Sequence, residues 1–240
     1  MPPSGSTSAS SRTLDGAVVA VLGASGGLGS AITHAVAAKG ARPLLAGRDV
    51  ARLRAVGLAD APIVQADIRD PQCGARIAEA AVESFGRLDG LVNAAGIVAF
   101  GSLAEHDDDT IEELFLTNAM GPLWLVRGVL PLLEASKGFV LQLSAVVAER
   151  PMPGMAVYAA TKAAMTAADE ALARELRRAG VRVIDARPPH TETGLASRPF
   201  LGTAPALPEG LAPGVVAARI VRAIEAGETS VASTAFADDS

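Results

Sequence analysis

Cysteine is nearly missing from this chain: Cys73 stands alone among 240 residues. An internal disulfide is therefore excluded, which fits a reducing compartment, the cytoplasm. Metal ligands are equally scarce. His34, His106 and His190 fall in unrelated segments without paired-ligand spacing, and Cys73 has no Cys or His beside it, so no metal site is expected. Basic blocks are absent too. Charges of both signs are interspersed, with a net charge of −5, and neither nucleic acid nor an anionic membrane is expected as a partner. No apolar run approaches the roughly 18 residues of a membrane span. The nearest, "GVVAARIVRAI", is interrupted by Arg219 and Arg222 and reads as an amphipathic surface helix. There is no internal repeat. Residues 1–13 are small and polar and lack the apolar core of a signal peptide. They read as a flexible tail ahead of a single domain over 14–240.

What is present is a regular alternation. Half of the residues are hydrophobic, enough for a sizeable core. Short runs rich in Val, Leu and Ile at 17–22, 42–47, 62–67, 88–96, 138–144 and 181–186 read as strands, the fourth running into a turn. Helical patterns at 27–40, 70–86, 107–136 and 155–179 separate them, and a short helix is expected from Val50. Strands apolar throughout belong to a parallel sheet covered on both faces. Right-handed crossovers then give a single-domain, doubly wound, Rossmann-type α/β fold. Residues 188–214 carry no periodic pattern, and a loop of that length suits a lid.

The first strand runs into "GASGGLGSA", which places Gly23, Gly27 and Gly29 between a strand and a helix, with Ser25 and Leu28 among them. Glycines there let the backbone approach a pyrophosphate, and the helix offers that anion its free N–H groups and positive dipole end. The second strand ends in Gly47, where a carboxylate would hold a ribose 2′-hydroxyl, and Arg48 follows. A guanidinium can take a 2′-phosphate bidentately, so NADP(H) is expected over NAD(H), with Ser25 a further donor. Asp49 is the opposing signal; its alternative role is the N-cap of the helix at Val50.

"YAATK" places Tyr158 and Lys162 four apart, on one helix face. A tyrosine with a pKa of about 10 exchanges protons poorly near neutrality, and a nearby ammonium favours its phenolate. Lys162 is one of only three lysines in the chain, with Lys39 and Lys137.

In this order the motifs resemble the short-chain dehydrogenase/reductase family over nearly the whole chain from about residue 15. Leu22 replaces the family's usual threonine before the glycine turn, and Pro189 its usual glycine in "RPPHTET". The resemblance implies an oxidoreductase moving hydride between a nicotinamide and a carbonyl or secondary alcohol. It implies that Asp67, with Ile68 beside it, lies near the adenine. "NAAG" (Asn93, Ala94, Ala95, Gly96) is implied to form the turn after the fourth strand. Pro188, Thr191 and Thr193 are placed beside the cofactor, Tyr158 is the general acid/base, and Lys162 holds the ribose. Asn118 is implied to carry a proton relay from Lys162; its alternative role is a buried amide that satisfies backbone. A homodimer or homotetramer is implied as well.

The family's serine stands thirteen residues before the tyrosine. Here that position is Ala145, and Ser144 is one residue early. A one-residue shift turns a strand side chain to the other face. A bulge before Pro151 would restore Ser144 as the carbonyl's hydrogen-bond donor; Thr191 or Thr193 is the substitute. The offset also supports a different reading, a cofactor-binding protein of this fold with little chemistry. Met152, Met155, Trp124, Phe200 and His190 are candidates for the substrate pocket.

Overall fold

Seven parallel strands in the order β3-β2-β1-β4-β5-β6-β7 form one sheet in the computed structural model, which describes residues 13–239. The tail expected over 1–13 lies outside the described residues as far as residue 12. The strands are β1 (Val18–Leu22), β2 (Arg42–Gly47), β3 (Ile63–Gln65), β4 (Gly90–Asn93), β5 (Phe139–Leu143), β6 (Arg182–Ala186) and β7 (Ser230–Val231). The helices between them are α1 (Gly27–Ala38), α2 (Val50–Arg54), α3 (Cys73–Phe85), α4 (Asp108–Phe115), α5 (Gly121–Ser136), α6 (Ala156–Glu175) and α7 (Pro213–Ala226).

Strand alternation builds two cores. Val19 and Val21 of β1 and Leu141 of β5 pack on the α1–α7 side with Ile220 and Ile224. Val18 and Ala20 of β1 and Val140 of β5 pack on the other side, against α3, α5 and the far end of α6. The helix read from "GVVAARIVRAI" is α7, and its inner face is buried on α1.

The order of the sheet reverses between β1 and β4. Chains leaving the C-terminal ends of those strands diverge there and open a crevice. The glycine turn follows β1, and the Asn93–Gly96 turn follows β4, so the motifs singled out by sequence flank the place where this topology accepts a ligand.

The helix expected over 107–136 is in fact two helices joined by a π-helical segment, Leu116–Met120. Pro122 explains the break: it has no N–H for the carbonyl of Asn118, four residues earlier, and the ladder widens. β7 had no strand signal, being only two residues long.

Candidate active site

Gly23 opens the glycine turn at φ +81°, and a Cβ there would lie 2.8 Å from the carbonyl carbon of Ala94. The turns after β1 and β4 are therefore packed backbone to backbone. A Cβ on Gly29 would meet the Gly23 carbonyl oxygen at 2.1 Å, so the start of α1 can fold back on β1 only with glycine there. Gly26 caps α1 without a side-chain hydrogen bond, which leaves the first-turn N–H groups open to an anion. Leu28 turns into the core beneath.

Two guanidiniums border this turn. Arg48 is exposed beyond β2. Arg52, on α2, donates to the carbonyl of Ser25 at 3.3 Å. The sequence reading passed over Arg52; its signal was its place one turn into the helix that Asp49 begins. Asp49 is that helix's N-cap, accepting from the N–H of Arg52 at 3.1 Å.

Asp67 accepts hydrogen bonds from the backbone N–H and guanidinium of Arg69, whose other arm reaches Glu113 of α4 at 2.9 Å. The Arg69 hydrogen bond holds the Asp67 carboxyl below the ordinary range. Ile68 is buried in the core against α5. Asn93 braces its turn: its Oδ1 accepts from the N–H of Ala95 at 3.2 Å, and its amide donates to Gln142 of β5 at 2.7 Å.

Gly96 is the meeting point. A Cβ there would lie 3.2 Å from Asn118 Oδ1 and 3.5 Å from Lys162 Nζ. Asn118 clamps the next residue, accepting from the Ile97 N–H at 3.0 Å and donating to the Ile97 carbonyl at 2.9 Å. The alternative role foreseen for it is thus occupied: the amide satisfies backbone. Lys162 donates to the Leu143 carbonyl at 2.8 Å, with Nζ 5.9 Å from the centroid of the Tyr158 ring. Burial lowers the Lys162 ammonium to about 8, against the pull of Asp185 and Asp169. Burial also raises the Tyr158 phenol well above its ordinary value.

Ser144 is arranged differently from expectation. The β5–β6 ladder pairs the Ser144 N–H with the Ala186 carbonyl at 2.9 Å and the Val146 N–H with the Pro188 carbonyl at 3.1 Å. Both chains advance two residues, so there is no bulge. Ser144 therefore keeps its strand-dictated face. Its oxygen, buried, accepts from the hydroxyl of Thr166 on α6 at 3.1 Å. Ala145 is the residue packed against the apolar cluster that holds Tyr158.

That cluster includes Val98, Phe100, Val147 and Met155, with Leu201 and Ala204 from the 188–214 loop packed on it. Trp124 is not part of it; Met152 and Phe200 are exposed nearby in sequence to it. The loop is pinned across the site: Phe200 N–H donates to the Val98 carbonyl at 2.7 Å, and Phe100 N–H to the Leu201 carbonyl at 2.9 Å. Thr191 donates to the Pro189 carbonyl at 2.9 Å, Thr193 lies on Gly27, and His190 faces Glu192 at 3.3 Å. Among the described residues no group of three or more His, Cys, Asp or Glu is placed to hold a metal ion.

A doubly wound sheet with a glycine turn at its switch point and a helix-borne tyrosine–lysine pair beside it defines a class of dinucleotide-dependent oxidoreductases. The chain belongs to the short-chain dehydrogenase family, whose model matches residues 17–200. It is 36% identical over 178 residues to an uncharacterized oxidoreductase of Methylorubrum extorquens, covering 71% of each chain. A short-chain dehydrogenase from Burkholderia cenocepacia, solved in complex with NADP, is 27% identical with a TM-score of 0.83, over 95% of this chain and 92% of that one. One from Burkholderia phymatum, in complex with NAD, is 26% identical with a TM-score of 0.82, over 92% and 90%.

Proposed function

We propose that this protein is an NADP(H)-dependent oxidoreductase that interconverts an apolar carbonyl compound and its secondary alcohol. The observation that carries this is one continuous path: the glycine turn packs on Ala94, and two residues on, Gly96 lies between Asn118 and Lys162, below Tyr158. The donor set suits a dinucleotide phosphate. The uncapped start of α1 suits a pyrophosphate, and Arg48 and Arg52 beside the glycine turn suit a 2′-phosphate. When bound, the nicotinamide supplies or accepts the hydride.

The chain's own residues do the rest. Tyr158 gives its phenolic proton to the nascent alkoxide, or takes it in the reverse direction. Lys162 stabilises the phenolate with its charge and holds the ribose hydroxyls. Asn118 fixes the Ile97 backbone beside Gly96, and the family resemblance assigns it a proton relay from Lys162. The Val98–Phe100 segment and the loop over it exclude water and favour an apolar substrate. Tyr158 acts without a serine beside it, because Ala145 holds that place.

Exposed Met120 and Leu123 on the outer side of the α4–α5 pair fit a second copy of the chain, giving a homodimer or homotetramer. The lone, buried Cys73 thiol fits the cytoplasm. Among the described residues no helix is long and apolar enough to cross a membrane.

The test is NADPH consumption with a panel of apolar ketones and aldehydes, run beside NADPH binding. Turnover supports the assignment. Tight binding without turnover on any member favours a cofactor-binding protein instead, the reading that Ala145 keeps in play.

A further inference from the structure

Behind Lys162 lies an acid that the chemistry above does not use. Asp169 stands seven residues further along α6, two turns away on the same face. It is 2% exposed, and both carboxyl oxygens are buried without a hydrogen-bond partner. α6 packs on β6, and β6 offers Asp185, 3% exposed, whose Oδ1 is also without a partner while its Oδ2 accepts from Arg187. The charges around Asp169 come from three elements. Lys162 shares its helix, Asp185 faces it from β6 with Arg187 behind, and Glu149, after β5, engages Arg187. The closer side chains of Thr166 and Ser144 are neutral and bonded to one another.

Two ionised carboxylates in one dry interior, with three orphaned oxygens and a single guanidinium, are strongly disfavoured. A proton is the donor that this arrangement lacks. Asp185 has the Arg187 guanidinium as its partner and Asp169 has none, which leaves Asp169 as the residue to carry the proton. Burial, and then the charge of Asp185, raise the Asp169 carboxyl to about 8, where Lys162 also titrates.

We propose that Asp169 is a positioning residue for Lys162: it holds a proton in the interior beside Asp185, and the carboxylate left when that proton departs keeps the Lys162 side chain an ammonium. The step is a proton transfer alone. The O–H bond of the Asp169 carboxyl breaks, the proton passes to solvent, and no electron pair leaves the protein. The charge so created lies on the face of α6 that carries Lys162. The alkaline range, where alcohol oxidation requires the tyrosine's proton acceptor, is therefore reached with Lys162 still charged. This rests on the reading of Lys162 as the group that tunes Tyr158.

The chain suits a direct test, because only Lys39, Lys137 and Lys162 contribute lysine signals. In full-length protein carrying 13C-lysine, the ε-methylene resonance of Lys162 is followed with pH. Asp169→Asn should lower its midpoint by about one unit, a roughly tenfold loss of proton affinity, and move the alkaline limb of kcat/KM by the same amount. Rates near pH 6.5 should stay close to wild type. Asp169→Ser serves if the asparagine variant does not fold. Infrared spectra of the wild type should show a protonated carboxylic acid at neutral pH that fades as pH rises and is missing in either variant. An unmoved Lys162 midpoint, or no such carboxylic acid in the wild type, overturns the proposal. If Lys162 shifts while the rate profile does not follow, the coupling stands and the catalytic reading of Lys162 falls.

Discussion

Thr166 donates its hydroxyl hydrogen to Ser144 across 3.1 Å, joining α6 to the end of β5 beneath the site rather than within it. Replacing Ser144 with alanine should therefore leave kcat within about twofold and cost about 1 kcal/mol of stability in urea unfolding, the worth of one hydrogen bond. Ala145→Ser should do the reverse, placing a hydroxyl beside Tyr158 and raising kcat by roughly tenfold or more, the lower part of the range for one transition-state donor. A hundredfold loss in Ser144→Ala would show that the Ser144 hydroxyl reaches the substrate after all.

Arg48→Asp should invert coenzyme choice, and Arg52→Ala should weaken NADPH more than NADH. Each lost charge-assisted contact is worth about 1.5–3 kcal/mol, or roughly 10- to 100-fold in the ratio of kcat/KM for the two coenzymes. A ratio that both variants leave unchanged would remove the 2′-phosphate from this corner of the protein.

Tyr158 is the sole tyrosine of the chain, so tyrosinate absorbance reports the site directly. Burial holds the phenol protonated in the free protein, and no phenolate signal should develop up to about pH 10, the ordinary midpoint. Tyr158→Phe should lower kcat by at least roughly 10²-fold, the scale of a lost general acid, while NADPH affinity stays near wild type. A free-protein phenolate signal at neutral pH would mean that the tyrosine is already tuned without coenzyme.

Stability should pass through a minimum near pH 8. Asp169 is raised by burial, so the folded chain binds more protons than the unfolded one, and stability falls from the ordinary carboxylate range up to about 8. Lys162 is lowered by burial, so the folded chain binds fewer protons above that, and stability recovers towards the ordinary lysine range. Tm measured against pH should show the dip, and Asp169→Asn should flatten its acid side. A steady fall through that window contradicts the Lys162 shift, and a steady rise contradicts that of Asp169.

Much of this was legible in the chain because strands and helices announce themselves by period. The second strand matches residue for residue at 42–47, and the others match to within a few residues. The glycine turn was legible because close backbone contact leaves no choice but glycine at Gly23 and Gly29. The π-helical segment was not read, although Pro122 marked it. Side-chain direction at a strand end was harder. Whether Ser144 kept its face depended on a bulge, and a bulge depends on pairing with β6, which sequence spacing alone does not report. The Asp169–Asp185 juxtaposition was invisible for the same reason: the two are sixteen positions apart and meet only when α6 lies on β6.

Assembly offers a further check. Met120 is 47% exposed and Leu123 43% exposed, neighbours on the outer side of the helix pair. Leu123→Arg should convert the proposed oligomer to a species near 24.3 kDa in sedimentation, with the fold intact by circular dichroism. A wild-type protein that sediments at that mass already would leave these side chains without a second copy.

Thr193 rests directly on Gly27, so close that a Cβ on the glycine would come within 2.7 Å of the threonine carbonyl oxygen. The loop that roofs the substrate side thereby also leans on the turn that a dinucleotide would follow. On the proposed function, a coenzyme lying along the glycine turn would share that strip of backbone with the loop, and displacing Thr193 would disturb the same segment that Phe200 and Leu201 stitch to Val98 and Phe100. Coenzyme affinity would then be reduced by whatever fraction of molecules keeps the loop down.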